Sequence, residues 1–382
     1  MPLDADCLKS AARDRTGLTD FGDAPIDEGL GVLVASVNAT ETTPKELAAV
    51  ESTILGALIE RLRIEDWIAR HPEVLSQEIK APVFVVGLPR SGTTALSQFL
   101  AEDPAARSLL RWELLNAIPP PDPAGPEDPR LAATRKAFEA RDLAMPMYRS
   151  MLPVNAEDPA EHSPILGLTF QNIGTSLVHH APAYQDWVLR QDLRPGYAYL
   201  KKVLQILQSK TGASHWNLKA PLDIFGLDAL VEVFPDARLV WCHRDPASSI
   251  PSNCSLLAMI REASGEHVDR VELGRMKMAA FAEGMRRALA ARAAIGDHRF
   301  ADVVQRELVR DTVGTIERLY GQIGLDFSDA YRTRLTERVA SRNEVMAGKV
   351  HRYALEDFGL SLAEIRLEFA DYLGRFHPSV GA

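Results

Sequence analysis

The chain has 382 residues, of which 46% are hydrophobic and 25% charged, and this balance is typical of a globular enzyme with a substantial core. A net charge of −9 disfavours broad nucleic-acid binding, which depends on a basic surface, although it still permits an anion site within one cleft. Three cysteines without a CxxC pair, no apolar leader and no apolar run of about 18 residues predict a cytoplasmic protein with free thiols and no membrane span.

The first 80 residues are predicted to form a helical extension that packs on the main domain. Thr43 and Glu46 have the spacing of a capping box, which marks the start of a helix. The apolar residues that follow recur at helical spacing: Leu47, Val50, Ile54, Leu58 and Leu62. Residues 81–382 are predicted to form the main domain, which a helical insertion interrupts at about 117–212.

Short apolar runs, rich in β-branched and aromatic residues, predict the strands of the main domain. They cover residues 83–86, 215–218, 238–242 and 300–304, and helical patterns lie between them, including a long one at 268–293. Strands that alternate with helices favour an α/β, P-loop-like, three-layer fold with a central parallel sheet flanked by helices. In such a sheet, residues that directly follow the strands face one cleft at the carboxyl edge.

A glycine-rich loop, Gly87-Leu-Pro-Arg-Ser-Gly-Thr-Thr94, joins the first strand to a helix. Its glycines allow successive backbone N–H groups to converge on an anion, and the dipole of the following helix adds to the attraction. A nucleotide-hydrolysing P-loop carries a lysine after the second glycine, but this chain has Thr93 there, and Arg90 is the one cation of the loop. The loop therefore predicts a phosphate-type site without ATP or GTP hydrolysis.

Two further cations follow predicted strands. Arg244 stands in the run His-Arg-Asp-Pro, and Ser252 lies eight residues further on, about two turns along the next helix. A guanidinium and a hydroxyl from one helix form a suitable clamp for a second phosphate. Lys219 ends the middle strand, where a buried lysine needs an anionic partner. Two phosphate-binding elements and a lysine suit a nucleotide with phosphates at both ends.

The motifs GLPRSGTT, LKAP and HRDPASSIPSNCSL resemble those of sulfotransferases that use 3'-phosphoadenosine 5'-phosphosulfate, above all the bacterial branch and the tyrosylprotein sulfotransferases. The resemblance extends over about residues 82–375. It implies sulfuryl transfer to a hydroxyl of a small acceptor, with adenosine 3',5'-bisphosphate as product and no metal. It also implies that the 3'-phosphate binds Arg244 and Ser252, that Lys219 lies near the leaving oxygen, and that the loop holds the 5'-phosphosulfate through Arg90, Ser91, Gly92, Thr93 and Thr94.

The resemblance also suggests a catalytic base. Branches with this loop use a glutamate soon after the loop helix, which corresponds to Glu113 within Arg-Trp-Glu. A base must reach the proton that it takes, and burial of a carboxylate favours this role by raising its pKa. Rival bases are His162, His179 and His180, whereas the pair Glu161-His162 is a candidate for lining the acceptor pocket.

Towards the C-terminus, the resemblance implies that Lys349 and His351 lie in a basic turn that closes over the nucleotide. The chain departs from many relatives near the adenine, because it carries Gln305 and Arg306 where they have a tyrosine nearby.

Two other functions fit parts of the pattern. A P-loop metabolite kinase would explain the glycine loop, but not Thr93 or the pairing of Arg244 with Ser252. A nucleotide-binding protein without catalysis would be compatible with the proline-rich run at 117–129 and the helical flanks. The identity of the acceptor remains open, as does a homo-oligomeric state.

Overall fold

Three helices precede the sheet in this computed structural model, which describes residues 2–263, 265, 267–346 and 353–380. They are α1 (Ala5–Thr16), α2 (Asp27–Asn38) and α3 (Pro44–Arg70). The predicted capping box starts α3: the Thr43 hydroxyl accepts from the N–H of Glu46 at 3.2 Å, and the Glu46 carboxylate accepts from the N–H of Thr43 at 2.6 Å. The helix predicted here is confirmed, whereas the sequence did not locate α1 and α2.

A parallel sheet occupies the centre of the described chain. Its strands are β1 (Val83–Gly87), β2 (Ala106–Ser108), β3 (His215–Lys219), β4 (Arg238–His243) and β5 (Phe300–Val304). They lie in the order β2-β3-β1-β4-β5, and each neighbouring pair is parallel. The four predicted strands are confirmed, and the three-residue β2 was missed because it is too short to show a pattern.

Helices cover both faces of this sheet. Between β1 and β3 lie α4 (Thr93–Leu100), α5 (Pro129–Ala144), α6 (Pro146–Met151), α7 (Ser163–Leu166), α8 (Ile173–Val178), α9 (Pro182–Val188) and α10 (Arg194–Gln208). Between β3 and β5 lie α11 (Leu227–Val233), α12 (Pro246–Ala263) and α13 (Arg270–Ile295). After β5 come α14 (Gln305–Arg310), α15 (Thr312–Ile323), α16 (Asp329–Met346), α17 (Leu362–Glu368) and α18 (Ala370–Val380).

The side chains of β1 separate two hydrophobic cores. Phe84 and Val86 belong to a large cluster that includes residues of α1, α2 and α3, while Val83 and Val85 belong to a smaller cluster with residues of α4 and α15. Alternate residues of a strand point to opposite faces, so helices pack on each side of the sheet. The three-layer α/β architecture is therefore confirmed.

The strand order places a cleft at the carboxyl end of β1. This strand lies between β3 and β4, so the chain passes to one side of β1 and then to the other. Ligands of open parallel sheets bind at such a switch point, where the connections diverge. No helix in the described ranges is long and apolar enough to cross a membrane.

Candidate anion-binding and catalytic site

Backbone geometry explains the glycines of the loop. Gly87 has φ +142°, and a Cβ atom there would lie 2.5 Å from the carbonyl oxygen of Cys242 on the neighbouring strand β4. Gly92 has φ +100°, and a Cβ atom there would lie 3.0 Å from the Gln305 side chain. Both positions therefore require glycine. The loop then enters α4 at Thr93, so the positive end of this helix dipole faces the cleft.

The loop contacts the second predicted phosphate element directly. Arg90 Nε donates to Ser252 Oγ at 3.2 Å, and Arg244 Nη1 donates to the carbonyl oxygen of Arg90 at 2.8 Å. Burial and the neighbouring charge of Arg244 lower the pKa of Arg90. Residues that are more than 150 positions apart in sequence thus meet at the carboxyl ends of β1 and β4.

A cavity of about 710 Å³ opens at this edge of the sheet. Among the described residues, four guanidinium groups line it, from Arg90, Arg111, Arg244 and Arg342, and Glu161 is the one acidic residue of the lining. In the part of the chain that the structure describes, none of the four arginines forms an ion pair with a carboxylate. This excess of positive charge favours an anionic ligand.

The remaining loop residues surround the same end of the cavity. Gly92, Thr93 and Thr94 line it. Ser91 is fully buried behind them, and its hydroxyl has no hydrogen-bond partner among the described residues. Ser91 is absent from the cavity lining, so the predicted loop residues that face the cavity are Arg90, Gly92, Thr93 and Thr94. The residues present therefore fit a bound phosphosulfate.

Lys219 meets the partner that its burial requires. Its ammonium lies 2.9 Å from a carboxylate oxygen of Glu161, and its side chain is 1% exposed whereas that of Glu161 is 39% exposed. Burial lowers the pKa of Lys219. Burial alone would raise the pKa of Glu161, but Lys219 and Arg111 together hold it below its ordinary value. Glu161 is thus an ionised carboxylate that faces the cavity.

Glu113 takes a different position from the one that its predicted role requires. Its carboxylate accepts from Arg107 Nη2 at 2.9 Å and from the N–H of Leu110 at 3.1 Å, and its side chain is 1% exposed. Burial raises the pKa of Glu113, although Arg107 opposes this shift. The residue is absent from the lining of the cavity, and its carboxylate is turned towards Arg107 and Leu110 instead.

The three rival histidines have separate surroundings. His162 is completely buried behind the cavity, and its Nε2 lies 3.1 Å from Asp223. His179 lines the cavity, and burial together with Arg261 lowers its pKa to about 4. His180 lines a second, adjacent cavity. His179 is therefore the one histidine of the three that faces the main cavity.

The other predicted residues divide between lining and undescribed positions. Gln305 lines the cavity beside Gly92, whereas Arg306 is absent from its lining. Lys349 and His351 lie outside the described residues. No group of three or more His, Cys, Asp or Glu residues in the described ranges is arranged to hold a metal ion.

Sequence reasoning missed two arginines of the lining. Arg111 lines the cavity, although no role was assigned to it from the sequence. Its position directly before Trp112-Glu113 gave the one local signal. Arg342 belongs to α16, more than 200 residues after the glycine loop, and its helix has no motif that indicates a ligand.

Comparisons with known proteins agree on one family. The family model described as the sulfotransferase family matches residues 82–329. The ω-hydroxy-β-dihydromenaquinone-9 sulfotransferase Stf3 of Mycobacterium bovis is 25% identical over 268 residues, 68% of this chain. That match covers 66% of Stf3, so the chain spans just under two thirds of the length of this relative.

Two solved structures resemble the whole described fold. Sulfotransferase STF9 from Mycobacterium avium is 32% identical with a TM-score of 0.88, and the match covers 97% of this chain and 96% of STF9. Sulfotransferase STF1 from Mycobacterium tuberculosis H37Rv is 29% identical with a TM-score of 0.81, and the match covers 97% of this chain and 99% of STF1.

Proposed function

The chain belongs to the sulfotransferase family, and we propose that it transfers a sulfuryl group from 3'-phosphoadenosine 5'-phosphosulfate to a hydroxyl of a small-molecule acceptor. The observation that carries this proposal is the cavity wall of four guanidinium groups with a single carboxylate, at the end of a glycine loop. That wall suits a donor with several negative charges. The ionised carboxylate of Glu161, which pairs with Lys219, suits the transfer step because it can accept the proton of the acceptor hydroxyl.

The donor would bind between two elements that already touch. The loop amides and the residues Arg90 to Thr94 would hold the 5'-phosphosulfate, and Arg244 with Ser252 would hold the 3'-phosphate. The contacts from Arg90 to Ser252 and from Arg244 to the Arg90 carbonyl support this assignment, because they fix the two elements relative to each other. Lys349 and His351 remain predicted contacts of the nucleotide.

Glu161 takes the role of base in this proposal, in place of Glu113. It faces the cavity as a carboxylate that is free to accept a proton, although Lys219 and Arg111 hold its pKa below the ordinary value and so weaken it as a base. Glu113 has the raised pKa but is buried against Arg107. The acceptor hydroxyl would give its proton to Glu161 while its oxygen forms a bond to sulfur. The bond from sulfur to the 5'-phosphate oxygen breaks, and the electron pair stays on that phosphate. Lys219 and Arg90 would neutralise the charge that develops there, as is usual for a loose in-line transfer.

Two observations support a small-molecule alcohol as the acceptor. The mycobacterial relative Stf3 is named for a hydroxylated menaquinone derivative, which is a small molecule with a hydroxyl group. Much of the cavity beyond the arginines is lined by apolar side chains, including Leu33, Ile54, Phe170 and Phe281. Both observations favour a small-molecule alcohol.

Ligand-dependent thermal stability tests the proposal. A ligand that binds only the folded protein adds about 2.7 kcal/mol when its concentration is 100 times its dissociation constant. Adenosine 3',5'-bisphosphate should stabilise the protein, whereas ADP and Mg-ATP should stabilise it much less, because neither carries a 3'-phosphate. Stabilisation by Mg-ATP alone would favour the kinase alternative. Binding of the bisphosphate without sulfuryl transfer to any alcohol would favour a protein without catalysis.

A further inference from the structure

One face of α12 forms a long wall of the cavity. Asn253, Leu256, Leu257 and Ile260 all line it, and their spacing places them on the same side of the helix. Seven residues of helix span about 10 Å. The near end of this face adjoins Ser252, which contacts Arg90, so the face leads away from the proposed donor site.

A second cavity begins where this helical face ends. Its volume is about 470 Å³, and it shares three wall residues with the first cavity: Val178, His179 and Ile260. We call these three residues the junction. They stand at the end of the helical face that is farthest from Arg90. The two cavities therefore lie next to each other and share the junction as a common wall.

Buried cations fix the backbone beside the junction. The C-terminal carbonyls of α8 accept hydrogen bonds from Arg261 Nε, at 3.1 Å to Val178, and from Lys277 Nζ, at 2.8 Å to Leu177. Cations at a helix C-terminus are stabilising because they complement the helix dipole. The backbone at the junction is thus held in place by side chains of both α12 and α13.

We infer that the acceptor is an elongated alcohol that occupies both cavities at once. Its hydroxyl lies near Glu161, its apolar body follows the α12 face, and its far end passes the junction into the second cavity. This inference rests on the proposed function. It adds the shape and polarity of the acceptor to that function.

The second cavity also defines the far end of the acceptor. Among the described residues, four carboxylates line it, from Glu41, Glu46, Asp269 and Glu272, together with the guanidinium of Arg261 and the imidazoles of His179, His180 and His267. An acceptor whose far end is anionic would meet repulsion there, whereas a neutral hydrogen-bonding end would not. The acceptor is therefore apolar along its body, with a far end that is polar but uncharged.

A series of primary alcohols tests the length requirement. With 3'-phosphoadenosine 5'-phosphosulfate as donor, kcat/KM should rise from butanol through octanol to dodecanol, by up to about fourfold for each methylene group that becomes buried. The α,ω-diol of dodecane should be a better acceptor than ω-hydroxydodecanoate. Equal kcat/KM values for butanol and dodecanol would refute an elongated acceptor, and a preference for the acid would refute the assignment of the far end.

Substitution at the junction tests the path itself. Ile260→Trp should reduce kcat/KM for dodecanol at least tenfold more than kcat/KM for butanol, because only the longer alcohol passes the junction. Met259→Trp is the matched control, since Met259 neighbours Ile260 on α12 but lines neither cavity. It should leave both values unchanged. Equal losses with the two variants, or a loss with butanol alone, would overturn the inference.

Bisphosphate binding separates failure of this inference from failure of the proposed function. Adenosine 3',5'-bisphosphate should stabilise Ile260→Trp as much as the unsubstituted protein, which also verifies that the variant is folded. If Ile260→Trp is not stabilised, His179→Leu provides a second variant, because it makes the junction apolar without narrowing it and should preserve the transfer to dodecanol. If no form of the protein is stabilised, it is the proposed function that fails.

Discussion

Exchanging Glu161 for glutamine tests which carboxylate takes the proton of the acceptor. The amide keeps the size of the side chain, and its oxygen can still accept from Lys219 Nζ, which lies 2.9 Å from the carboxylate. The change removes basicity, and it also leaves the ammonium of the buried Lys219 without its charged partner, so the melting temperature is measured beside the rate. A positioned base typically contributes about 100- to 10,000-fold to the rate, which corresponds to about 3–5 kcal/mol of the barrier. Glu161→Gln should lower kcat by this factor, as measured by single-turnover transfer from labelled donor.

Glu113→Gln is the matched control for this experiment. Glu113 forms a buried ion pair with Arg107, whose side chain is 12% exposed. Removal of one partner from a buried pair costs about 3–5 kcal/mol, because it leaves the other charge uncompensated. This variant should melt at a lower temperature but keep the turnover of its folded fraction. Loss of turnover in Glu113→Gln with intact bisphosphate binding, together with normal turnover in Glu161→Gln, would refute the reasoning.

Three further predictions concern the phosphate elements and the cavity wall. Arg244→Ala should weaken the binding of adenosine 3',5'-bisphosphate by about 10- to 100-fold in calorimetric titration, since a hydrogen bond to a charged group contributes about 1.5–3 kcal/mol. The same substitution should change the affinity for ADP little. Gly92→Ala should lower the melting temperature, because φ is +100° and Gln305 lies in the way, whereas Gly321→Ala should raise it, because that helical site has open space around it. The pKa of His179 is lowered to about 4, so between about pH 6.5 and 4 the unfolded chain binds a proton that the folded protein does not. The free energy of unfolding should fall as the pH is lowered through this window, and His179→Gln should remove that part of the fall in denaturant titrations.

Local chemistry made much of the fold predictable. The run Val83 to Val86 predicts a buried strand because it is fully apolar. In the structure these residues are buried on both faces of the sheet. The capping box at Thr43 identified the start of α3 for a similar reason, since its hydrogen bonds join residues three positions apart. Such features depend on neighbours in sequence, so one sequence is enough to detect them.

The choice between Glu113 and Glu161 as the residue that faces the cavity was not predictable in this way. The segment that carries Glu113 pairs with a distant one: the N–H of Arg111 donates to the carbonyl of Asp158 at 3.1 Å, and the N–H of Ala160 donates to the carbonyl of Leu109 at 2.7 Å. This pairing brings Glu161 to the end of β3 and leaves Glu113 turned towards Arg107. Only the tertiary structure decides which of the two glutamates faces the cavity, because both stand beside plausible basic partners in sequence.

The arginines of the cavity show how an acidic chain prepares a site for a highly charged anion. Burial lowers the pKa of both Arg90 and Arg111, which means that their positive charges are held at a cost to the stability of the protein. Buried Arg292, by contrast, pairs with Asp302 at 2.6 Å, while buried Arg61 donates to three backbone carbonyl oxygens. The cavity arginines form no ion pair with a carboxylate of the described residues, although carboxylates are more numerous than basic groups in the whole chain. An anionic ligand would provide the missing negative charge, so its binding would also stabilise the folded protein at this edge of the sheet. The same excess of positive charge that attracts the donor would then stabilise the leaving phosphate, without any rearrangement of the arginines during transfer.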